Sequence, residues 1–226
     1  MDSTPEPTRE VLDAVWLGRR AFDEVLELQL RARDALIAGE GPPVLFLVEH
    51  PPTLTLGRRA SRSDVLWSDE ALAEAGVAVC ETPRGGQVTL HAPGQLVAYP
   101  VVHVGRRIRD HLCVLAEAAR LLLVEAGVEG AEFRMDHPGL WMGNRKLASI
   151  GIHVSRGVTV QGISVNLAVE PLLFGALVSC GLRDVEMTSA RSISGRAPEL
   201  EGAARRYAEL FAAQRGATLR WRAPGG

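Results

Sequence analysis

The sequence predicts one α+β domain, a mixed sheet faced by helices. Three observations carry this expectation. Short apolar runs bounded by Gly and Pro, such as Val44-Leu45-Phe46-Leu47-Val48, have the length and flanks of strands. The stretch 109–126 instead carries Leu112, Leu115, Ala119, Leu122 and Leu123 at helical spacing and stops at Gly127. Two apolar runs, 147–154 and 158–165, are separated only by Ser155-Arg156-Gly157, which makes that part of the sheet antiparallel. With 226 residues, 46% of them apolar, the chain can close a full core without disulfide or metal staples.

The elements follow in order. Residues 1–8 are polar, lack the apolar region of a signal peptide and read as a flexible N-terminus. Residues 9–215 read as the domain, opening with a strand at 11–16 and a helix at 21–38 that ends on Gly39. The run 44–48 is a buried strand. Ser68-Asp69-Glu70 caps a short helix that stops at Gly76, and Val77-Ala78-Val79-Cys80 is a strand. Strands at 87–91 and 96–103 flank the turn Ala92-Pro93-Gly94, and the helix at 109–126 follows. Gly139-Leu140-Trp141-Met142 and the two hairpin runs are consecutive strands, 199–214 is a closing helix, and 216–226 reads as a short tail.

Composition excludes several classes. A net charge of -2 lacks the basic excess of a nucleic-acid binder, and 5% aromatic content offers few stacking platforms. No apolar run is long enough to span a membrane. The three cysteines, Cys80, Cys113 and Cys180, are odd in number and have neither zinc nor redox spacing, which suits a reducing, cytoplasmic setting. Cys80 and Cys113 fit packing roles in a strand and on a helix, whereas no periodicity claims Cys180, next to Gly181. No histidine pair has metal-ligand spacing, and neither a metal nor a cofactor is expected. His103 and His111 flank a polar turn and read as solvated. His91 is the one placed to face a site, either in ligand contact or in a satisfied structural role.

Among 25 basic residues only Lys146 is a lysine. Arginine serves wherever positive charge alone is wanted. A lysine, unlike a guanidinium, can lose its proton when desolvated and act as a base. Lys146 lies between the turn Gly143-Asn144-Arg145 and the apolar run 147–152, where its stem should be buried. Cys180 is the candidate nucleophile and Lys146 its partner. The segment Arg84-Gly85-Gly86-Gln87-Val88-Thr89-Leu90-His91 brings two glycines to the start of a strand, a place where backbone can approach a ligand, although a plain hairpin entry would look the same.

Assembled, these residues resemble the octanoyltransferase family of lipoate biosynthesis, within the lipoate/biotin ligase superfamily. The likeness spans about Leu45 to Ser189. Glu49-His50-Pro51-Pro52-Thr53-Leu54-Thr55-Leu56-Gly57 is similar to E-H-x-P-x-x-T-x-G, and Arg84 to His91 with Pro93-Gly94-Gln95 to R-G-G-x-x-T-x-H-G-P-G-Q. Gly139-Leu140-Trp141 resembles G-V-W, Lys146 to Gly151 resembles K-[IV]-A-[AS]-[IL]-G, Gly162 to Asn166 resembles H-G-x-x-x-N, and Cys180-Gly181 resembles P-C-G. Ala92, Gln161 and Ser179 stand where the family has Gly, His and Pro.

The resemblance implies the mixed, largely antiparallel sheet of the biotin and lipoate ligases and an acyltransferase without a cofactor. Cys180 and Lys146 would be catalytic. Arg84 to His91, Ser149, Ile150, Gly151, Gly162, Ile163 and Ser164 would bind the acyl chain. The donor would be octanoyl-acyl carrier protein. The acceptors would be lipoyl domains of 2-oxoacid dehydrogenases and the glycine cleavage H protein. A cytoplasmic monomer that touches neither nucleic acid nor membrane is expected. Three alternatives stay open at this stage: an amidotransferase moving octanoyl between lipoyl domains, an ATP-dependent lipoate or biotin ligase, and a binding module without turnover.

Overall fold

The computed structural model describes residues 9–176 and 185–224. Among them, a large sheet is built from β1 (Val11–Arg19), β2 (Val44–Glu49), β6 (Gln95–Val101), β7 (Glu132–Arg134), β8 (Gly139–Met142), β9 (Arg145–Ser155), β10 (Val158–Asn166), β11 (Glu186–Met187) and β12 (Thr218–Arg222). Its order is β12-β1-β2-β6-β10-β9-β8-β7, and β11 pairs with β9 off this path. The pairs β1–β12, β1–β2 and β9–β11 are parallel, whereas those from β2 through β6, β10, β9 and β8 to β7 are antiparallel. A second sheet has the order β4-β3-β5, from β3 (Thr53–Leu56), β4 (Ala78–Glu81) and β5 (Val88–His91).

The period-2 alternation of strands sorts the large sheet's side chains onto two faces. Leu45, Leu47, Leu96 and Ala98 join one core with Leu115, Ala119, Leu122 and Leu123 of helix α3 (Ile108–Glu125) and Tyr207 and Phe211 of helix α5 (Leu200–Arg215). Their neighbours Val44, Phe46, Val48, Val97 and Tyr99 point the other way, into a core with Phe22, Val25 and Leu36 of helix α1 (Phe22–Ala38). β2 is apolar from Val44 to Val48 because both of its faces are covered. Helix α2 (Asp69–Glu74), capped by the Ser68 hydroxyl as its sequence predicts, packs Leu72 against the small sheet with Leu54 and Leu90. A further short helix, α4 (Ala190–Ser194), is capped by Ser189. Among the described residues, no helix is long and apolar enough to cross a membrane.

Two expectations are corrected here. Part of the stretch read as a tail is strand β12, which pairs in parallel with β1. Leu219 and Trp221 alternate toward the core, while Arg220 donates to both carboxylate oxygens of the buried Asp13 at 2.6 and 3.0 Å. His111 is not solvated. It is 4% exposed under α5, edge-on to Phe211 at 6.3 Å. His103 is exposed, as read.

Candidate active site

Arg84 anchors the site. Its guanidinium donates to the Thr55 carbonyl at 2.7 Å, the Thr55 hydroxyl at 2.8 Å and the Gly85 carbonyl at 3.1 Å, and the residue is 5% exposed. The Gly-Gly turn beside it is stitched to its neighbours by backbone. Gly85 N–H donates to the Ile152 carbonyl, and the carbonyls of Arg84, Gly86 and Gln87 accept from Arg58, Arg59 and Gly57. The N–H of Gly85 is therefore committed within the fold. A Cβ on Gly57 would collide with the Gly86 carbonyl, which is why the end of β3 is followed by glycine.

Two narrow chambers lie between this turn and the β9–β10 hairpin. The outer one, about 50 Å³, is lined by Arg84 to Thr89, Lys146, Ser149 and Ile150, together with Arg59 and Asp136-His137-Pro138. The inner one, about 20 Å³, is lined by Arg84, Thr89, His91, Ser149, Gly151, Gly162, Ile163 and Ser164, with Tyr99 and Gln161. Arg84, Thr89 and Ser149 belong to both. Among the described residues, those predicted from sequence thus line the two chambers, with one exception. Leu90 turns to the opposite face of β5 and packs in the small-sheet core with Leu54 and Leu72.

Two of the glycines in the lining, Gly151 and Gly162, also let chain segments approach one another closely. A Cβ on Gly151 would meet Arg84 Cδ at 3.1 Å. One on Gly162 would collide with the Ala98 carbonyl and meet Pro100 Cδ at 2.8 Å. Gly86 has φ +90, so a side chain there strains the backbone whatever it does to a ligand.

Lys146 is 2% exposed, and its Nζ lies 4.8 Å from the centre of the Trp141 ring. Its side chain fits because Gly139 faces it across β8: a Cβ on Gly139 would stand 2.7 Å from Lys146 Cε and would collide with the Ala148 carbonyl. The Gly-Leu-Trp run therefore supplies a gap for the lysine stem and an aromatic face for its amine. Gly139→Ala is expected to destabilise the fold by about 1–3 kcal/mol through overpacking. A thermal melt matching the parent protein would show that the backbone yields there at little cost.

Behind the chambers the polar groups are paired in series. His91 Nδ1 lies 2.8 Å from Gln95 Oε1, and Gln95 Nε2 donates to the Leu90 carbonyl and to Asn166 Oδ1. The Gln95 amide is thus oriented with its oxygen toward His91, so His91 Nδ1 carries the proton. Burial holds His91 neutral, with its pKa well below the usual imidazole range. Asn166 Nδ2 donates to the Thr188 carbonyl, and Thr188 N–H donates to the Lys146 carbonyl, which ties the relay to the strand that carries the lysine. His50 is fully buried. Its Nδ1–H donates to the Arg20 carbonyl at 2.8 Å, and its Nε2 accepts from the Tyr99 hydroxyl at 3.0 Å. Tyr99 and this pairing escape a sequence reading, in which His50 stands only as part of a family motif. The faint signal is a polar ring, Tyr99, on the apolar face shared by Val97 and Val101.

Cys180 lies outside the described residues. Of the other two thiols, Cys80 is half-buried, and burial raises its pKa. Cys113 is exposed, not packed as its helix position suggests, because it sits just off the buried stripe. Among the described residues, no group of three His, Cys, Asp or Glu side chains is placed to share a metal ion.

Comparison with known proteins places this architecture. The family model described as "Lipoyl protein ligase A/B catalytic domain" matches residues 22–212. The chain belongs to this family. A protein of Desulfovibrio desulfuricans named "Octanoyltransferase" is 38% identical over 199 residues, covering 86% of this chain and 83% of that protein. One of the same name from Caldicellulosiruptor saccharolyticus is 34% identical over 214 residues, covering 93% and 91%. Among solved structures, a bipartite lipoate protein ligase from Thermoplasma acidophilum superposes with a TM-score of 0.72 at 12% identity, covering 95% of this chain and 88% of the other. A biotin protein ligase from Aquifex aeolicus gives 0.52 at 11% identity, covering 90% and 70%. The fold is that of the lipoate and biotin ligases.

Proposed function

We propose that this member of the lipoyl ligase family is an octanoyltransferase that modifies lipoyl domains in the cytoplasm. The observation that carries the reading is the set of octanoyltransferase-named relatives at 34–38% identity, each spanning most of this chain. The convergence of Arg84, His91, Ser149 and Gly162 on a slot next to Lys146 supports it. In the first step the Cys180 thiolate attacks the thioester carbon of octanoyl-acyl carrier protein. The C–S bond to the carrier's thiol breaks, and that thiol leaves with a proton. In the second step the ε-amine of a lipoyl-domain lysine attacks the octanoyl-Cys180 carbon, an amide forms, and the Cys180 sulfur departs. Lys146 is the group that takes the proton from the nucleophile in each step and returns it. Thioester exchange is near neutral and amide formation from a thioester runs downhill, so no ATP is consumed.

Incubation with octanoyl-acyl carrier protein should add the mass of one octanoyl group, in place of one hydrogen, to the intact protein. Cys180→Ser should abolish the adduct, and Cys80→Ser and Cys113→Ser should keep it. An adduct that survives in Cys180→Ser and is lost in Cys80→Ser overturns the assignment. Pyrophosphate release with ATP and free octanoate would instead favour the chemistry of the lipoate and biotin ligases that share the fold.

A further inference from the structure

A further step rests on the acyl-transfer reading above and concerns where the acyl chain ends. Lys146 belongs to the outer chamber alone, so the reacting end of the chain lies there and the tail points inward past Ser149. Along β9 the wall runs from Lys146 through Ser149 and Ile150 to Gly151, about 17 Å of strand at ~3.3 Å per residue. Ile152 pairs with Gln161 on β10, which lines the inner chamber only.

Gln161 has φ +64 in the interior of a strand, a conformation that L side chains avoid outside turns. Arg156, the other non-glycine residue with positive φ among those described, sits in the β9–β10 turn. Two elements hold Gln161 there. Its N–H donates to Gln29 Oε1 of α1 at 2.7 Å, and Gln29, fully buried, is itself fixed by its bond to the Val25 carbonyl. The Gln161 side-chain amide donates to the Thr82 hydroxyl at 2.6 Å, on the connection between β4 and β5. Strained backbone persists only where its surroundings over-determine it, and here they fix one long, buried side chain in the lining of the inner chamber.

We infer that Gln161, clamped between Gln29 and Thr82, is the end-stop of the acyl slot and sets the longest acyl chain the protein accepts. Gln161→Gly and Gln161→Asn both tolerate the left-handed backbone, so each removes bulk without adding strain. Adduct formation is read by intact mass across acyl-carrier-protein thioesters from six to twelve carbons. The decanoyl-to-octanoyl ratio should rise about tenfold in Gln161→Gly, the scale of burying two further methylenes. The rise should be smaller in Gln161→Asn. Thr82→Val, which frees the Gln161 amide while keeping a similar shape, should move the ratio the same way. An unchanged ranking of donors in folded Gln161→Gly overturns the inference, with octanoyl transfer itself untouched. If the parent protein forms no adduct from any donor, the acyl-transfer reading falls, and the end-stop with it.

Discussion

Replacing Lys146 with methionine is expected to lower turnover by about 10²–10⁴-fold, the range that a positioned acid–base group supplies. Methionine keeps a stem of similar length between Gly139 and Trp141 and removes only the amine. Lys146→Arg should lose as much activity, because a guanidinium holds its proton at any working pH. Arginine is nonetheless a second kind of change here. Lys146 is 2% exposed and a Cβ on Gly139 would already crowd its Cε, so the larger planar head should also lower stability by about 1–3 kcal/mol. Single-turnover transfer and a thermal melt on both variants separate the two effects. A folded methionine variant with near-normal transfer at neutral pH would leave Lys146 as a packing residue alone.

Much of this site could be read from the sequence because its residues sit on elements with strong local signatures. Ser155-Arg156-Gly157 fixes the β9–β10 hairpin. The hairpin register then sets Ser149 beside Ser164 and Gly151 beside Gly162. Lys146 could be picked out because a lone lysine among arginines needs a reason. Other parts depended on partners far away in the chain. β12 is a weak strand that exists because β1 offers an edge and Asp13 a buried carboxylate, and neither is visible from residues 216–226. β3, Thr53–Leu56, was legible only as a family motif, since its pairing with β4 and β5 brings together runs separated by a long loop. The packing at the glycines was hidden for a related reason. Sequence shows where a side chain is missing, and only packing shows that Arg84 and the Ala98 carbonyl already fill the gaps at Gly151 and Gly162. Leu90 erred by the strand period, one step out of phase with Thr89 and His91.

Lowering the pH from about 7.5 to about 5 is expected to cost the fold about 4 kcal/mol through His50 and His111 alone. Burial pushes both imidazoles down to about 4 in the folded protein, with the Arg215 charge adding to the effect at His111. In the unfolded chain they titrate near ~6.5. Between those values the unfolded chain binds more protons than the native one. The stability these neutral imidazoles confer is therefore complete above about 6.5 and is lost as the pH falls toward 4, at about 1.4 kcal/mol per unit for each. His91 is shifted in the same direction and steepens the fall. His111 isolates the cause. Its Nε2 is buried without a hydrogen-bond partner beside Phe211, so exchange for an apolar side chain removes a titrating group and an unpaired polar atom together. In His111→Leu, denaturant midpoints at pH 7.5 should match or exceed those of the parent, and the loss between pH 6.5 and 5 should shrink by roughly the share of one histidine. A parent protein whose midpoint stays flat from pH 7 to 5 would mean that these imidazoles open to water before they protonate.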